Sequence, residues 1–283
     1  MTQVANPTQP QSSTPNAQGG LDIKGTAGDN RLNGSSGSDN IKTEGGNDAI
    51  AAGAGNDLVD SAAGNDTITG GSGNDTTYAG QGNDVVDGGD GEDLSRGGKG
   101  NDAVGGGAGN DSLYGDRGND TVGGGTGNDS LLGNDGNDFI SGDDGNDTIF
   151  GGKGSDTISG GAGNDFIAGD IGADLLTGGS GNDTFAFTAK SIGQGLDTIT
   201  DFTPAEDKIA LAKAAFGGLG QTFDPSEFVV QAGFNVNAPG STANKVIYDP
   251  NTGLLYYNTG NGVQTLAQLQ GGLTITSSNF ELF

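Results

Sequence analysis

The sequence predicts an all-β protein: a parallel β-roll with two nonapeptides per coil, followed by a β-rich C-terminal cap. Three observations predict it. From Gly34 to Thr184 the chain repeats one nine-residue phrase, roughly Gly-Gly-x-Gly-Asn-Asp-x-U-x, with U a large apolar residue. Its aspartates are Asp39, Asp48, Asp57, Asp66, Asp75, Asp84, Asp93, Asp102, Asp111, Asp120, Asp129, Asp138, Asp147, Asp156, Asp165, Asp174 and Asp183, stepping by nine residues without a slip. Two residues after each stands an apolar side chain, from Ile41 and Ile50 to Leu176 and Phe185, and only Thr77 and Ser95 break that row. A fixed period of this kind marks stacked repeats, each burying its apolar face only against its neighbours.

Each phrase divides into a six-residue turn and a three-residue strand. Glycines suit the turn because its backbone must visit positive φ. They also let carbonyl oxygens converge. The aspartate closes the turn and adds a carboxylate. Side chains alternate along the strand, so U points inward while its neighbours point out. Two facing rows of U make a core that one row cannot, so the coil is two phrases, or eighteen residues. Asp39, Asp57, Asp75 and onward to Asp183 then line one edge, and Asp48, Asp66, Asp84 and onward to Asp174 line the other. Carboxylate and carbonyl oxygens at loose geometry suit calcium, a hard ion that takes six to eight oxygens. Ions between stacked turns would number up to about 15, which makes the roll a calcium-binding β-solenoid. Strand spacing gives it a length of about 40 Å.

The nonapeptide resembles the calcium-binding phrase of RTX exoproteins, including the C-terminal part of serralysin-type proteases. In that family one turn supplies the carbonyls of its second and fourth residues plus its aspartate. The next turn on that edge supplies the carbonyls of its first and third residues plus its aspartate. The resemblance implies a site using Gly71, Gly73 and Asp75 with Gly88, the carbonyl of Asp90, and Asp93. It implies further carbonyl ligands at Gly89, Gly91, Gly106, Gly107, Gly109, Gly124, Gly125, Gly127, Gly142, Gly145, Gly160, Gly161, Gly163 and Gly178. The early turns depart from the phrase. Thr43-Glu44 and Ser61-Ala62 stand where glycines are expected, and the step from Asp29 to Asp39 is ten residues.

Composition agrees. The chain has 283 residues, 59 of them glycine, and a formal charge of −26. About 15 calcium ions would add about +30 and neutralise that excess. The acidity is therefore mostly ligand, and it argues against nucleic acid, which needs a positive surface. Without calcium the stacked carboxylates repel one another, so metal binding becomes folding energy. There is no Cys and no His. That removes thiolate and His-Glu-x-x-His zinc sites, Ser-His-Asp triads and Cys-His pairs. No run is apolar enough to span a membrane. The N-terminus lacks the charged start and apolar core of a cleavable signal peptide.

In chain order, residues 1–20 read as a disordered arm rich in Gln, Ser and Thr, with Pro7, Pro10 and Pro15. Leu21 to Asn33 reads as an imperfect first coil whose Leu21, Ile23 and Leu32 cover the end of the roll over residues 21–186. Outward strand positions carry a column spaced by eighteen residues: Tyr78, Arg96, Tyr114, Leu132 and Phe150. A contiguous exposed apolar patch marks an interaction surface, here one of self-association. The turns also carry an Asn row (Asn47, Asn56, Asn65, Asn74) but no matching Thr row, since the third turn position offers Thr126 alone; ice binding is the weaker alternative.

From Phe185 the alphabet changes, and residues 187–283 read as a β-rich region. Strands are expected at Leu196–Phe202, Lys208–Leu211, Phe228–Val230 and Leu273–Thr276, with a short helix over Ala212–Phe216. Lys245 to Tyr257 reads as a hairpin turning at Asp249-Pro250-Asn251-Thr252-Gly253. Asp197-Thr-Ile-Thr-Asp-Phe202, Asp207-Lys-Ile209 and the terminal Asn279-Phe280 resemble the C-terminal portion of type I secretion substrates. That resemblance implies one-step export through an uncleaved C-terminal signal. An arm, a roll and a cap together occupy the chain, so a non-enzymatic role is expected. The expected protein is secreted, folds on calcium outside the cell or at its surface, and serves as a surface-layer, sheath or matrix element. A soluble monomeric calcium-binding exoprotein or an adhesin module is the alternative.

Overall fold

A computed structural model describes residues 12–216, 218–219, 222–238 and 242–283. The chain divides after Ile140 into two compact units. Both are all-β, and in both the nonapeptides wind as a parallel β-solenoid.

In the first unit, from Gly19–Lys24 onward, successive strands alternate between two sheets. One runs Ser12–Pro15, Gly19–Lys24, Ser38–Lys42, Leu58–Asp60, Thr76–Gln81, Leu94–Lys99, Ser112–Arg117 and Ser130–Asp135. The other runs Arg31–Asn33, Ala49–Ala54, Thr67–Ser72, Val85–Asp90, Ala103–Ala108 and Thr121–Thr126. Pairing is parallel and in register by one coil, as in Leu94 with Ser112 and Val104 with Val122. The inward row is Ile41, Ile50, Val59, Ile68, Val86, Val104, Leu113, Val122 and Leu131, each at most 3% exposed. Thr77 and Ser95 occupy the same row fully buried, and Thr77 Oγ1 donates to Ser95 Oγ at 2.9 Å. Two consecutive polar residues in one row thus satisfy each other.

Two expectations change here. The strands are six residues long in most coils, such as Thr67–Ser72, and not three. Identical coils stack in register through the turns, so the turn amides pair as well: Gly73 N–H donates to Asp90 O and Thr76 N–H to Asp57 O, both at 2.8 Å. Second, residues 12–20 are not a disordered arm. Ser12–Pro15 runs antiparallel to Gly19–Lys24, with Ser13 opposite Ile23, and so covers the edge of its sheet. Residues 1–11 of the expected arm lie outside the described residues.

In the second unit one sheet runs Thr148–Lys153, Phe166–Ile171, Thr184–Phe187, Lys208–Leu211 and Phe280–Leu282, all parallel. The other runs Thr157–Ala162, Leu175–Ser180, Asp197–Ile199, Val263–Gln268, Leu254–Asn258, Lys245–Asp249 and Phe228–Val230. Its hairpin of Lys245–Asp249 against Leu254–Asn258 is where the turn chemistry predicts it. Leu273–Thr276 is not a strand, whereas Val263–Gln268 is one. Ala212–Phe216 forms only a turn, closed by Phe216 N–H to Ala212 O at 3.1 Å. Phe150 does not stand bare on its sheet. It packs with Phe166 on Ala168, Ala186 and Ala210, and Phe166 meets the ring of Phe283 edge-on at 5.7 Å.

Candidate metal centres

The centres are built by the turns. In Gly70–Asp75, Gly71 and Gly73 have φ of 119° and 116°. Both also sit against the carbonyls of the turn before, at Gly53 and Gly55, so a Cβ at either would collide. The aspartate is then carried inside. Asp75 is 1% exposed, and its Oδ1 accepts the N–H of Asp57 at 2.7 Å. Asp75 N–H donates in turn to Asp93 Oδ1 at 2.7 Å, and Asp93 N–H to Asp111 Oδ1 at 2.8 Å. The opposite edge repeats this from Asp48 through Asp66, Asp84, Asp102 and Asp120. Each aspartate thus spends one oxygen holding the previous coil.

The second oxygen is left over. Oδ2 of Asp48, Asp57, Asp66, Asp75, Asp84, Asp93, Asp102, Asp111 and Asp120 is buried without a hydrogen-bond partner, as it is for Asp165 and Asp174 in the second unit. A buried ionised oxygen in that state is costly unless a cation meets it. Burial pushes the carboxyls of Asp75, Asp84, Asp111 and Asp120 up to about 6 and that of Asp102 up to about 7. The N–H of the previous aspartate pulls each back, and neighbouring aspartates in the ladder push it further up.

In several turns a carbonyl of the next turn lies opposite Oδ2. A Cβ added at Gly88 would lie 2.6 Å from the carbonyl of Gly106 and against Asp93 Oδ2. At Gly106 it would lie 2.6 Å from the carbonyl of Gly124 and against Asp111 Oδ2. At Gly160 it would lie 2.5 Å from the carbonyl of Gly178 and against Asp165 Oδ2. The glycine therefore leaves a pocket lined by one carboxylate oxygen and one carbonyl. Around Gly70 the pair is Asp75 and Gly88, two residues expected to share a site. The Gly71 and Gly73 carbonyls approach Gly89 and Gly91 of the next turn. Asp90 O already accepts the Gly73 N–H, so one lone pair is left for a ligand role. Gly107, Gly109, Gly125, Gly127, Gly145, Gly161 and Gly163 repeat the positive φ of the second and fourth turn positions. No cluster of three or more acidic side chains that could hold a metal occurs among the described residues, so carbonyls must complete the shell. The donor set, all oxygen and one carboxylate per turn, fits calcium.

Some residues fall elsewhere. Both oxygens of Asp39 are engaged, by Leu21 N–H, Ser35 N–H and Ser35 Oγ. The Asn row forms its own ladder, with Asn65 N–H on Asn47 Oδ1 and Asn83 N–H on Asn65 Oδ1, each at 2.8 Å. Conversely, Asp197 and Asp207 join the aspartate ladder although they fall outside the nine-residue step. Asp174 N–H donates to Asp197 Oδ1 at 3.1 Å and Asp183 N–H to Asp207 Oδ1 at 3.0 Å, across 23 and 24 residues. Burial first, and then the charge of Asp174, raises the Asp197 carboxyl to about 8. Asp201 accepts the N–H groups of Gly178 and Gly179 at 2.9 and 2.8 Å. The signal was present in the triplet Asp-x-U: Ile199 and Ile209 follow these aspartates by two residues and pair with Leu176 and Phe185.

Stacked turns that each aim a carboxylate oxygen and carbonyls at one gap define a calcium-binding repeat roll. The family model for the RTX calcium-binding nonapeptide repeat matches residues 24–59, 57–86, 87–122, 123–158 and 150–185, more than half of the chain. The chain belongs to that family, whose repeats bind calcium. Similar solved structures include the R3 and R2 subunits of the mannuronan C5-epimerase AlgE6 from Azotobacter vinelandii. R3 is 22% identical over 58% of this chain and 77% of its own, with a TM-score of 0.33. R2 is 28% identical over 56% of this chain and 89% of its own, with a TM-score of 0.24. The extracellular lipase LipA of Serratia marcescens is 18% identical over 84% of this chain and 45% of its own, with a TM-score of 0.23. None of the curated proteins matches. Among the described residues no helix is long and apolar enough to cross a membrane.

Proposed function

We propose that the chain is a secreted calcium-binding exoprotein that folds on meeting calcium outside the cell and serves there as a structural, self-assembling element. One observation carries it: a ladder of buried carboxylates on each edge, with rung after rung keeping an oxygen for a cation. Extracellular calcium sites work at about 10⁻⁴–10⁻³ M, far above cytosolic calcium, so the chain would stay unfolded until export. Residues 187–283 would form a C-terminal cap and carry the signal read by type I secretion machinery. No catalytic role is proposed, because the acidic residues of the repeats are accounted for as calcium ligands.

Self-assembly is assigned to the outward sheet of the first unit. Leu58 and Tyr78 are 42% and 39% exposed there. Arg96 lies over the Tyr114 ring at 4.6 Å and makes a bidentate pair with Asp116. Phe150 is covered by the chain's own Phe166 and is left out of this surface. The test is calcium titration into metal-free protein, followed by circular dichroism and light scattering. β signal appearing near millimolar calcium, then rising mass, is expected. Folding without a rise in mass would support the alternative of a soluble monomeric exoprotein. The assembly reading also requires that Tyr78→Ser with Tyr114→Ser lower the mass reached.

A further inference from the structure

We propose that two gaps on one edge of the first unit are closed by side-chain hydroxyls and hold no calcium, so that along this edge its first coils are joined without metal. This rests on the reading that the glycine-lined gaps bind calcium. Along this edge the first residue of successive turns is Gly25, Thr43, Ser61, Ala79, Gly97 and Gly115. At Gly97 and Gly115 a Cβ would lie 2.5 Å from Oδ2 of Asp102 and Asp120. Calcium binds oxygen at about 2.3–2.6 Å, so that Cβ and an ion would claim the same place. Thr43, Ser61 and Ala79 do carry a Cβ, and all three are fully buried; only Thr43 and Ser61 add a hydroxyl to it.

Their hydroxyls complete the replacement. Thr43 Oγ1 donates to the carbonyl of Ser61 and Ser61 Oγ to the carbonyl of Ala79, each at 2.8 Å. Each acceptor is the first carbonyl of the next turn, the counterpart of the Gly106 and Gly124 carbonyls that face the glycine pockets. The hydroxyl thus takes one ligand of the ion while its carbon takes the ion's volume. The unpartnered Oδ2 atoms of Asp48 and Asp66 favour a cation in the same gaps. Steric exclusion outweighs them, because a coordinated ion cannot overlap a carbon atom. One rung earlier the aspartate is itself replaced. Asn30 holds Asp48 Oδ1 through its N–H at 2.7 Å and through Nδ2 at 2.9 Å, a joint that needs no counter-ion.

The test counts calcium bound per full-length chain by equilibrium dialysis, for wild type, Asp66→Asn, Asp93→Asn and the double variant Thr43→Gly/Ser61→Gly. Asp93→Asn is expected to lose about one ion, Asp66→Asn none, and the double variant to gain about two, since it restores the glycine pockets. Equal losses from Asp66→Asn and Asp93→Asn would overturn the proposal. Should the double variant not fold, hydrogen exchange of the wild-type chain in EGTA decides. Protection retained across the turns of residues 43–48 and 61–66, but lost across the glycine turns of residues 97–102 and 115–120 on the same edge, is expected, and uniform loss would overturn it. A wild-type chain that binds no calcium would instead overturn the underlying calcium reading.

Discussion

The coils around Gly88 and those around Ser61 have the same period, the same aspartate ladder and the same inward row, yet they are joined differently. At Gly88 the absent Cβ leaves Asp93 Oδ2 and the Gly106 carbonyl facing across a pocket. At Ser61 a hydroxyl crosses that distance and bonds the carbonyl directly. The difference teaches that a repeat can keep its geometry while one side chain decides whether a pocket or a direct hydrogen bond joins its coils. On the proposal above, a glycine pocket leaves the joint between coils to calcium, whereas a serine or threonine makes that joint from the chain itself.

The largest break in the comparison is metal removal. EGTA at neutral pH is expected to abolish most of the far-ultraviolet β signal, because carboxylates on both edges are left charged, buried and unpaired. Signal unchanged in EGTA would sink the idea that calcium joins the coils. Acid comes next and has two opposite effects. The folded-state carboxyls of Asp75, Asp84, Asp111 and Asp120 are raised to about 6 and that of Asp102 to about 7. A carboxyl raised on folding favours the fold when protonated. The metal-free roll is therefore expected to be most stable below about pH 4, losing stability as pH rises through 6 to 7. Calcium affinity should move the other way, falling as pH drops through the same window. Urea melts with and without calcium at pH 4 and pH 7 would show whether the two slopes have opposite sign.

A single methyl group gives a smaller and sharper test. Gly88→Ala places a Cβ against Asp93 Oδ2 and the Gly106 carbonyl, and is expected to cost about 1–3 kcal/mol in calcium-loaded protein. Ala79→Gly, the converse change on the other edge, should leave loaded stability unchanged or raise it. If both changes have the same small effect in calorimetry, the pocket is not what distinguishes these coils. The smallest effect is expected in the inward row. Thr77 and Ser95 bond each other there, so replacing both with Val should change stability by about 1 kcal/mol or less. Thr77→Val alone should cost more than the double change, which a double-mutant cycle would resolve.

Much of this was legible because the repeat makes each coil predict the next. The spacing of Asp75 and Asp93 placed both on one edge, and the two-residue offset placed Val86 and Leu113 inside. Legibility ended where the chain kept the contact but dropped the period. Asp197 and Asp207 continue the ladder over 23 and 24 residues, because the segment between Phe187 and Asp197 is longer than in the repeats. It ended also where pairing partners are distant: Val263–Gln268 became a strand by pairing parallel to Asp197–Ile199, which no local pattern announces. Phe150 looked like one more member of an outward column, and Phe166, itself packed on Phe283, covers it.

By itself the sequence determined the period, the two edges, the inward row and the oxygen chemistry of the turns. These follow from backbone geometry and side-chain alternation, which act within a coil and repeat with it. Only the tertiary structure decided which oxygens remain unpartnered, that Asp39 is already engaged by Leu21 and Ser35, and that Thr43 and Ser61 reach the carbonyl of the next coil. Those outcomes depend on where atoms of different coils stand to within an ångström. A repeat pattern sets the spacing between coils, but the contacts across that spacing are set by the side chain that happens to occupy it.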